Sequence, residues 1–353
     1  WEQLVQPAER AARFGWPISK GLVGALKEHG GKAIKDVRTQ KLFTDSKGNV
    51  LSLGQTVEQV GLAGTLGSIR GLGPGDFYSG RLARVYLNGV KEAGGWLTIE
   101  DLRAYRPAWK ATVQTEAGNH ILHFPVSKAL GTELTTGIWE QIGNKRGFLS
   151  SDAAGQAALL TAAARNVGGA GGAKWAGSGG SAGLFAMDIA GNATSCVLTM
   201  NRPFGRGVTA GETGIIQAAP AVAGTGLNIA PVIMANHNVS QAYLAATAAG
   251  DRYAGVALAS TLMHLVDGNV SPEEALAKPR YAPGVGAADV LIEQSRSQKI
   301  RGDLVRKGLK TFTRKSIGQV NLMYCDRGIV IRPANCVVRT DPRTAAYGVN
   351  SEL

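Results

Sequence analysis

Apolar positions recur at three- and four-residue intervals from Leu4 to Phe14 and again from Val57 to Ile69, the spacing that lines one face of a helix. Residues 1–110 therefore read as mostly helical, with breaks at Gly73-Pro74-Gly75 and Gly94-Gly95. Thr98 followed by Glu100-Asp101-Leu102 reads as a helix start, because a hydroxyl and early carboxylates complement the free N–H groups of a first turn. Past Gly118 the period changes. Ile121 to Phe124 reads as a short strand, and Leu130 to Ile142 as a helix. A glycine-rich stretch from Gly168 to Gly180 reads as a loop or linker. Ser181 to Met187 and Ala193 to Met200 then form two strands around a Gly191-Asn192 hairpin turn. Ser271-Pro272-Glu273-Glu274 announces another helix with a capping box, and Val320 to Val338 alternates like paired strands around Asp326-Arg327-Gly328. The sum is an α+β chain of helices packed on antiparallel sheets, divided into regions 1–180 and 181–353.

Composition narrows the chemistry. The 353 residues suffice for a sizeable core, and 44% hydrophobic with 18% charged residues is the balance of a globular protein. No apolar run approaches the roughly 18 residues a membrane-spanning helix needs. The formal net charge of +12 would suit an anionic partner, yet Lys and Arg are spread along the chain without a basic run interleaved with aromatics. A generally basic surface is expected, and no nucleic acid. Cys196, Cys325 and Cys336 lack metal-binding spacing; Cys325 and Cys336 could pair, but buried thiols are the expectation. His120 and His123 would point to opposite faces of a strand, which argues against a shared metal. No phosphate-cradling loop is present, so neither metal nor cofactor is expected. Trp1 to Pro7 form neither a start methionine nor a leader, and the chain is expected to begin inside a longer protein. No compartment is legible.

An ordered set of motifs resembles the γ-glutamyltransferase family of N-terminal-nucleophile hydrolases. Gly73 to Gly80 is similar to its Gly-Pro-Asp-Ala-Phe-Tyr-x-Gly turn, and Gly94 to Leu102 with Tyr105 to its Gly-Gly-x-Leu-Thr-x-Glu-Asp-Leu signature. Asp188 with Gly191-Asn192, Thr199-Met200-Asn201, Phe204-Gly205, Pro279-Arg280 and Asp341-Pro342-Arg343 follow in order. The resemblance implies a four-layer αββα sandwich, with the N-terminal part of the family fold absent from this chain. It also implies self-cleavage that frees an N-terminal hydroxyl nucleophile, whose own α-amino group is the base.

That nucleophile falls on Ser181, with Thr199 and Asn201 retained; Ser181 reads equally as a plain serine in a glycine-rich loop. The family's next Thr and His fall on Ala182 and Gly183, and its oxyanion-hole glycines on Ala249 and Gly250, followed by a matching Arg252. Of the positions that grip the glutamyl charges, an aspartate becomes Ala223 and a serine pair becomes Ile233 and Met234. Those losses imply that a γ-glutamyl donor does not bind tightly. Because Ala182 and Gly183 give no hydroxyl or oxyanion support, Gly180 and Ser181 are expected to stay joined. Asp188, Gly191, Asn192, Thr199 and Asn201 are expected together beside the site. The leading expectation is a degenerate member with a structural or partner-binding role in a larger assembly. The alternatives are an active serine amidohydrolase using Ser181 with a more apolar acyl pocket, and an ordinary γ-glutamyltransferase.

Overall fold

The structure is a computed structural model that describes residues 1–126, 131–143, 145–168, 180–221, 229–294, 297–331 and 333–350. Ala223 and most of the glycine-rich stretch before Ser181 lie outside the described residues. The chain forms two compact units, residues 1–109 with 202–220 and residues 110–201 with 221–353. These cut across the boundary at residue 181, which marks a change of sequence texture.

The first unit is helical, as the 3.6-residue pattern predicts. Its main helices are α1 (Glu2–Phe14), α2 (Val60–Leu72), α3 (Arg81–Glu92) and α4 (Ile99–Ala104). Glu9 of α1 is buried against α2, and Arg70 at 2.6 Å and Arg13 at 2.9 Å neutralise it. Thr98 caps α4 in a capping box with Asp101. Two of the sequence motifs meet here: Asp76 accepts from the Arg81 and Leu82 amides to cap α3, and Tyr78 stacks on Tyr105 with centroids 5.8 Å apart. Both motifs are therefore joints between helices. A separate apolar cluster of Ile18, Leu26, Ile34, Phe43, Leu51 and Val57 completes the unit.

The second unit opens with β1 (Thr112–Ala117) and β2 (His120–Pro125), then α5 (Thr132–Ile142) and α6 (Ala153–Gly168). The hairpin β3 (Ser181–Met187) and β4 (Ala193–Thr199) follows, then β5 (Ala230–Asn236) and β6 (Gln241–Ala249). Helices α7 (Ala254–Leu262) and α8 (Pro272–Ala277) lead to β7 (Tyr281–Pro283), β8 (Asp289–Glu293), β9 (Lys310–Arg314), β10 (Gln319–Cys325) and β11 (Cys336–Arg339). Ser271 caps α8 in the expected box with Glu274.

An antiparallel sheet of order β11-β10-β6-β5-β2-β1 is the centre of this unit, and β7, β8 and β9 make a smaller one. Alternation along β6 decides the layers. Leu244, Ala246 and Ala248 join the helix-side core with Ile138, Leu160 and Leu258, whereas Thr247 lies under Gly183 of the hairpin. Phe185 and Met187 pack on Met323, Cys325 and Cys336, so the hairpin covers the other side of the sheet. Helices, sheet and hairpin are stacked in that order, and the outer side of the hairpin exposes Leu184 and Leu198. β6 is buried along its whole length, and its run of alanines lets layers approach on both sides.

One expectation is corrected. Cys325 and Cys336 are bonded to each other as a disulfide, and Cys196 is the free cysteine. The two face each other in the register of β10 and β11, a pairing that spacing in sequence does not reveal.

Candidate functional site

Ser181 is the first residue of β3 and Thr199 the last of β4, and the hairpin register sets them directly opposite. The Ser181 hydroxyl donates to Thr199 Oγ1 at 3.2 Å. The Asn201 amide donates to the same oxygen at 2.9 Å, from a backbone held at φ 63°, the left-handed region in which Asn is tolerated. Thr199 is thereby fixed from one side while it accepts the serine proton from the other. The Met200 amide donates to the Gly180 carbonyl at 2.8 Å, and Gly180 has φ 83°. The peptide carbonyl just before Ser181 is thus already polarised.

The hairpin lies over β6 in a fixed sense. The Ala242 amide donates to Gly191 O, the Ser195 hydroxyl to Ala246 O, and Gly183 rests on Thr247. Ser181 and Thr199 accordingly reach the end of β6 that carries Ala249 and Gly250. There the chain turns through Gly250 at φ 103°, a conformation open to glycine, with the Gln319 side chain against it. Asp251 follows, its Oδ1 accepting from the Tyr253 amide at 2.8 Å and the Gly318 amide at 3.1 Å. Burial raises the Asp251 carboxyl above its ordinary range against those two bonds and the nearby Arg314 and Arg252. Burial likewise raises the Tyr253 phenol. Arg252 and Arg314 both stand over the Tyr253 ring, at 6.0 Å and 5.4 Å from its centroid.

The structure therefore brings together Ser181, Thr199, Asn201, Ala249, Gly250 and Arg252 at one end of the hairpin and sheet. It separates others from them. Asp188, Gly191 and Asn192 make the opposite turn, where Asn192 hydrogen bonds hold the Asp188 carboxyl below its ordinary range. Six residues of strand put that turn roughly 20 Å from Ser181. Ile233 and Met234 pair with Ala245 and Leu244, five or six residues short of Gly250, so they sit some 16 Å or more along the sheet. Adjacent strand residues also face opposite ways, and Met234 is packed in the helix-side core. Neither position supports the expected argument about glutamyl charges.

Ala182 lies on the exposed side of the hairpin, away from the Ser181 hydroxyl. Gly183 has a packing reason: a Cβ there would fall 2.3 Å from Thr247 Oγ1. Sequence reasoning missed Arg314, Gln319 and Thr247, because nothing local marks residues that long-range strand pairing delivers; it also missed the Met200 amide, which the hairpin register sets against Gly180. No group of three or more His, Cys, Asp or Glu among the described residues could hold a metal. His123 instead meets His237, Nε2 to Nε2, at 2.9 Å.

Comparison with known proteins agrees with this architecture. The gamma-glutamyltranspeptidase family model matches residues 1–135. Scoloptoxin SSD14 of Scolopendra dehaani is 37% identical over 120 residues, 33% of this chain and 21% of its own length. The glutathione hydrolase proenzyme of Escherichia coli (strain K12) is 30% identical over 155 residues, 43% of this chain and 27% of its own. The chain thus spans about a quarter of the length of these relatives. The solved structure of cephalosporin acylase from Bacillus halodurans superposes with a TM-score of 0.77 at 20% identity, over 96% of this chain and 72% of that one. That likeness extends the shared fold beyond the matched first 135 residues to the hairpin and sheet.

Proposed function

Since the chain belongs to the γ-glutamyltransferase family, we propose that it is a serine N-terminal-nucleophile amidohydrolase whose nucleophile is Ser181. The observation that carries this reading is the 3.2 Å contact from Ser181 Oγ to Thr199 Oγ1, with Thr199 held by the Asn201 amide. The argument against cleavage rested on Ala182 and Gly183. Support comes from Thr199 and from the Met200 amide, which donates to the carbonyl that would be attacked.

In this reading Ser181 Oγ attacks the Gly180 carbonyl, and the C–N bond to Ser181 breaks as an ester to Oγ forms. Water then hydrolyses that ester and leaves a free α-amino group on Ser181. In turnover this amine takes the Oγ proton as Oγ attacks a substrate amide carbonyl. Backbone N–H groups of the Ala249–Gly250 turn stabilise the developing oxyanion. The same ammonium returns its proton to the leaving amine, and a second water releases the acid. One polarising donor of this kind is worth about 3 kcal/mol of barrier.

A second reading, a degenerate member that binds a protein partner, is favoured by the apolar outer side of the hairpin, where Leu184 and Leu198 are 52% and 62% exposed. Intact-mass measurement of the purified protein separates the two. The first requires a fragment that begins at Ser181 and is abolished by Ser181→Ala, with saturable hydrolysis of an acyl anilide. A chain that stays whole and releases no amine leaves the binding role.

A further inference from the structure

Resting on that reading, we infer that Gln319 is a further catalytic residue, whose carboxamide N–H donates to the oxygen of the attacked carbonyl beside the Ala249–Gly250 turn. Strand alternation fixes the side of the sheet on which it lies. Val320 and Leu322 of β10 belong to the helix-side core, and Met323 packs against Phe185 and Met187 of the hairpin. Gln319 therefore faces the hairpin, as does Ala249, its partner in the register.

Two contacts set its level along the hairpin. Met187 Sδ lies 3.8 Å from Cys325 Sγ, and Gly183 rests on Thr247, which pairs with Asn321. The step between those contacts is the same on β3 and β10, from Met187 to Gly183 and from Cys325 to Asn321. One further alternation brings Ser181 level with Gln319. The layers are close at this end, since a Cβ at Gly183 would fall 2.3 Å from Thr247 Oγ1.

The Gln319 side chain lies over the turn. A Cβ at Gly250 would meet Gln319 Cδ at 2.9 Å and Oε1 at 3.3 Å, which puts the carboxamide carbon within roughly 4.5 Å of Gly250 Cα. Gln141, Gln156 and Gln241 of the same unit are committed to backbone groups. The half-buried Gln319 carboxamide makes no hydrogen bond to any described residue. An uncommitted amide donor so placed can share one oxygen with the backbone N–H groups of the turn. As Ser181 Oγ bonds to the substrate carbonyl carbon, the carbonyl π pair moves onto oxygen. Gln319 Nε2–H bonds that oxyanion more strongly than the ground-state carbonyl, and no proton is transferred at this residue.

The test compares the unmodified protein with Gln319→Glu, which keeps the shape but sets an acceptor where a donor is needed, and with Gln319→Leu. Hydrolysis of an acyl anilide is one readout. The other is calorimetric titration with butylboronic acid, whose boron takes Ser181 Oγ as a fourth ligand and becomes a tetrahedral anion without turnover. Both variants should lower kcat for the anilide, and affinity for the boronic acid, by about 10²–10³-fold, with KM and melting temperature unchanged. Ser181→Ala should abolish both signals. Either readout unchanged in Gln319→Glu overturns the donor role, and anilide turnover that persists there leaves the amidohydrolase reading standing. A chain that stays whole and inert to the anilide, yet binds the boronic acid in a Gln319-dependent way, sinks that reading and leaves the donor role. A parent that neither hydrolyses the anilide nor binds the boronic acid overturns both.

Discussion

Asp341→Ala should destabilise the second unit more than a typical surface change, and the reason lies in two late motifs that meet in space. Arg280 Nη1 lies 2.6 Å from Asp341 Oδ2, with side chains 2% and 0% exposed. Asp341 also accepts from the Val320 amide at 2.8 Å and from the Arg343 amide at 3.0 Å, and Arg343 reaches on to Glu293. Burial pulls the Arg280 guanidinium below its ordinary range, and Asp341 opposes that shift. Without Asp341, Arg280 would keep the Ile317 and Gly318 carbonyls, its Nη2 would stay without a partner, and its charge would be stranded in the core.

Removing one partner of such a pair costs about 3–5 kcal/mol, which for a unit of this size lowers the melting temperature by roughly 6–20 °C. Scanning calorimetry of the intact chain reads that transition. Replacing both partners, as Arg280→Met with Asp341→Leu, should recover much of the loss, because no charge is then buried. A fall of under about 2 °C for Asp341→Ala, or a double variant worse than the single, would refute the assignment of the cost to a stranded cation.

Three further outcomes follow from other sites. His264 is buried beside Phe148 and depressed to about 4 by burial and then by Lys278, so it is neutral in the fold but takes a proton when unfolded. Its contribution is therefore present above pH 6.5 and lost as pH falls towards 4, on the order of 3 kcal/mol; His264→Gln should flatten stability over that window in urea titrations. Cys336→Ser should cost about 3 kcal/mol, the loop-closure value for cysteines 11 residues apart, and the parent should show one free thiol when denatured without reductant. Gly183→Ala should cost about 1–3 kcal/mol through its clash with Thr247, and Thr247→Gly should relieve it; additive losses in the double variant would show the two do not touch.

The sequence alone determined what short-range physics controls. Helical faces from Leu4 to Phe14 and Val60 to Ile69, the caps at Thr98 and Ser271, and the hairpin on either side of Gly191 all rest on periodicity or on hydrogen bonds between residues a few positions apart, whereas Val57, read as the start of the second helix, pairs with Trp16 in a short strand. Ser181 and Thr199 were picked out by the family resemblance, and one hairpin turn sets the register that puts them opposite each other. Strand pairing over long separations decided the rest. It set Asp341 against Arg280, turned Met234 into the helix-side core, and carried Arg314 to Tyr253. A change of one residue in register reverses the face of every side chain in a strand, so no local pattern could have said whether Ile233 or Met234 lines a site or fills a core.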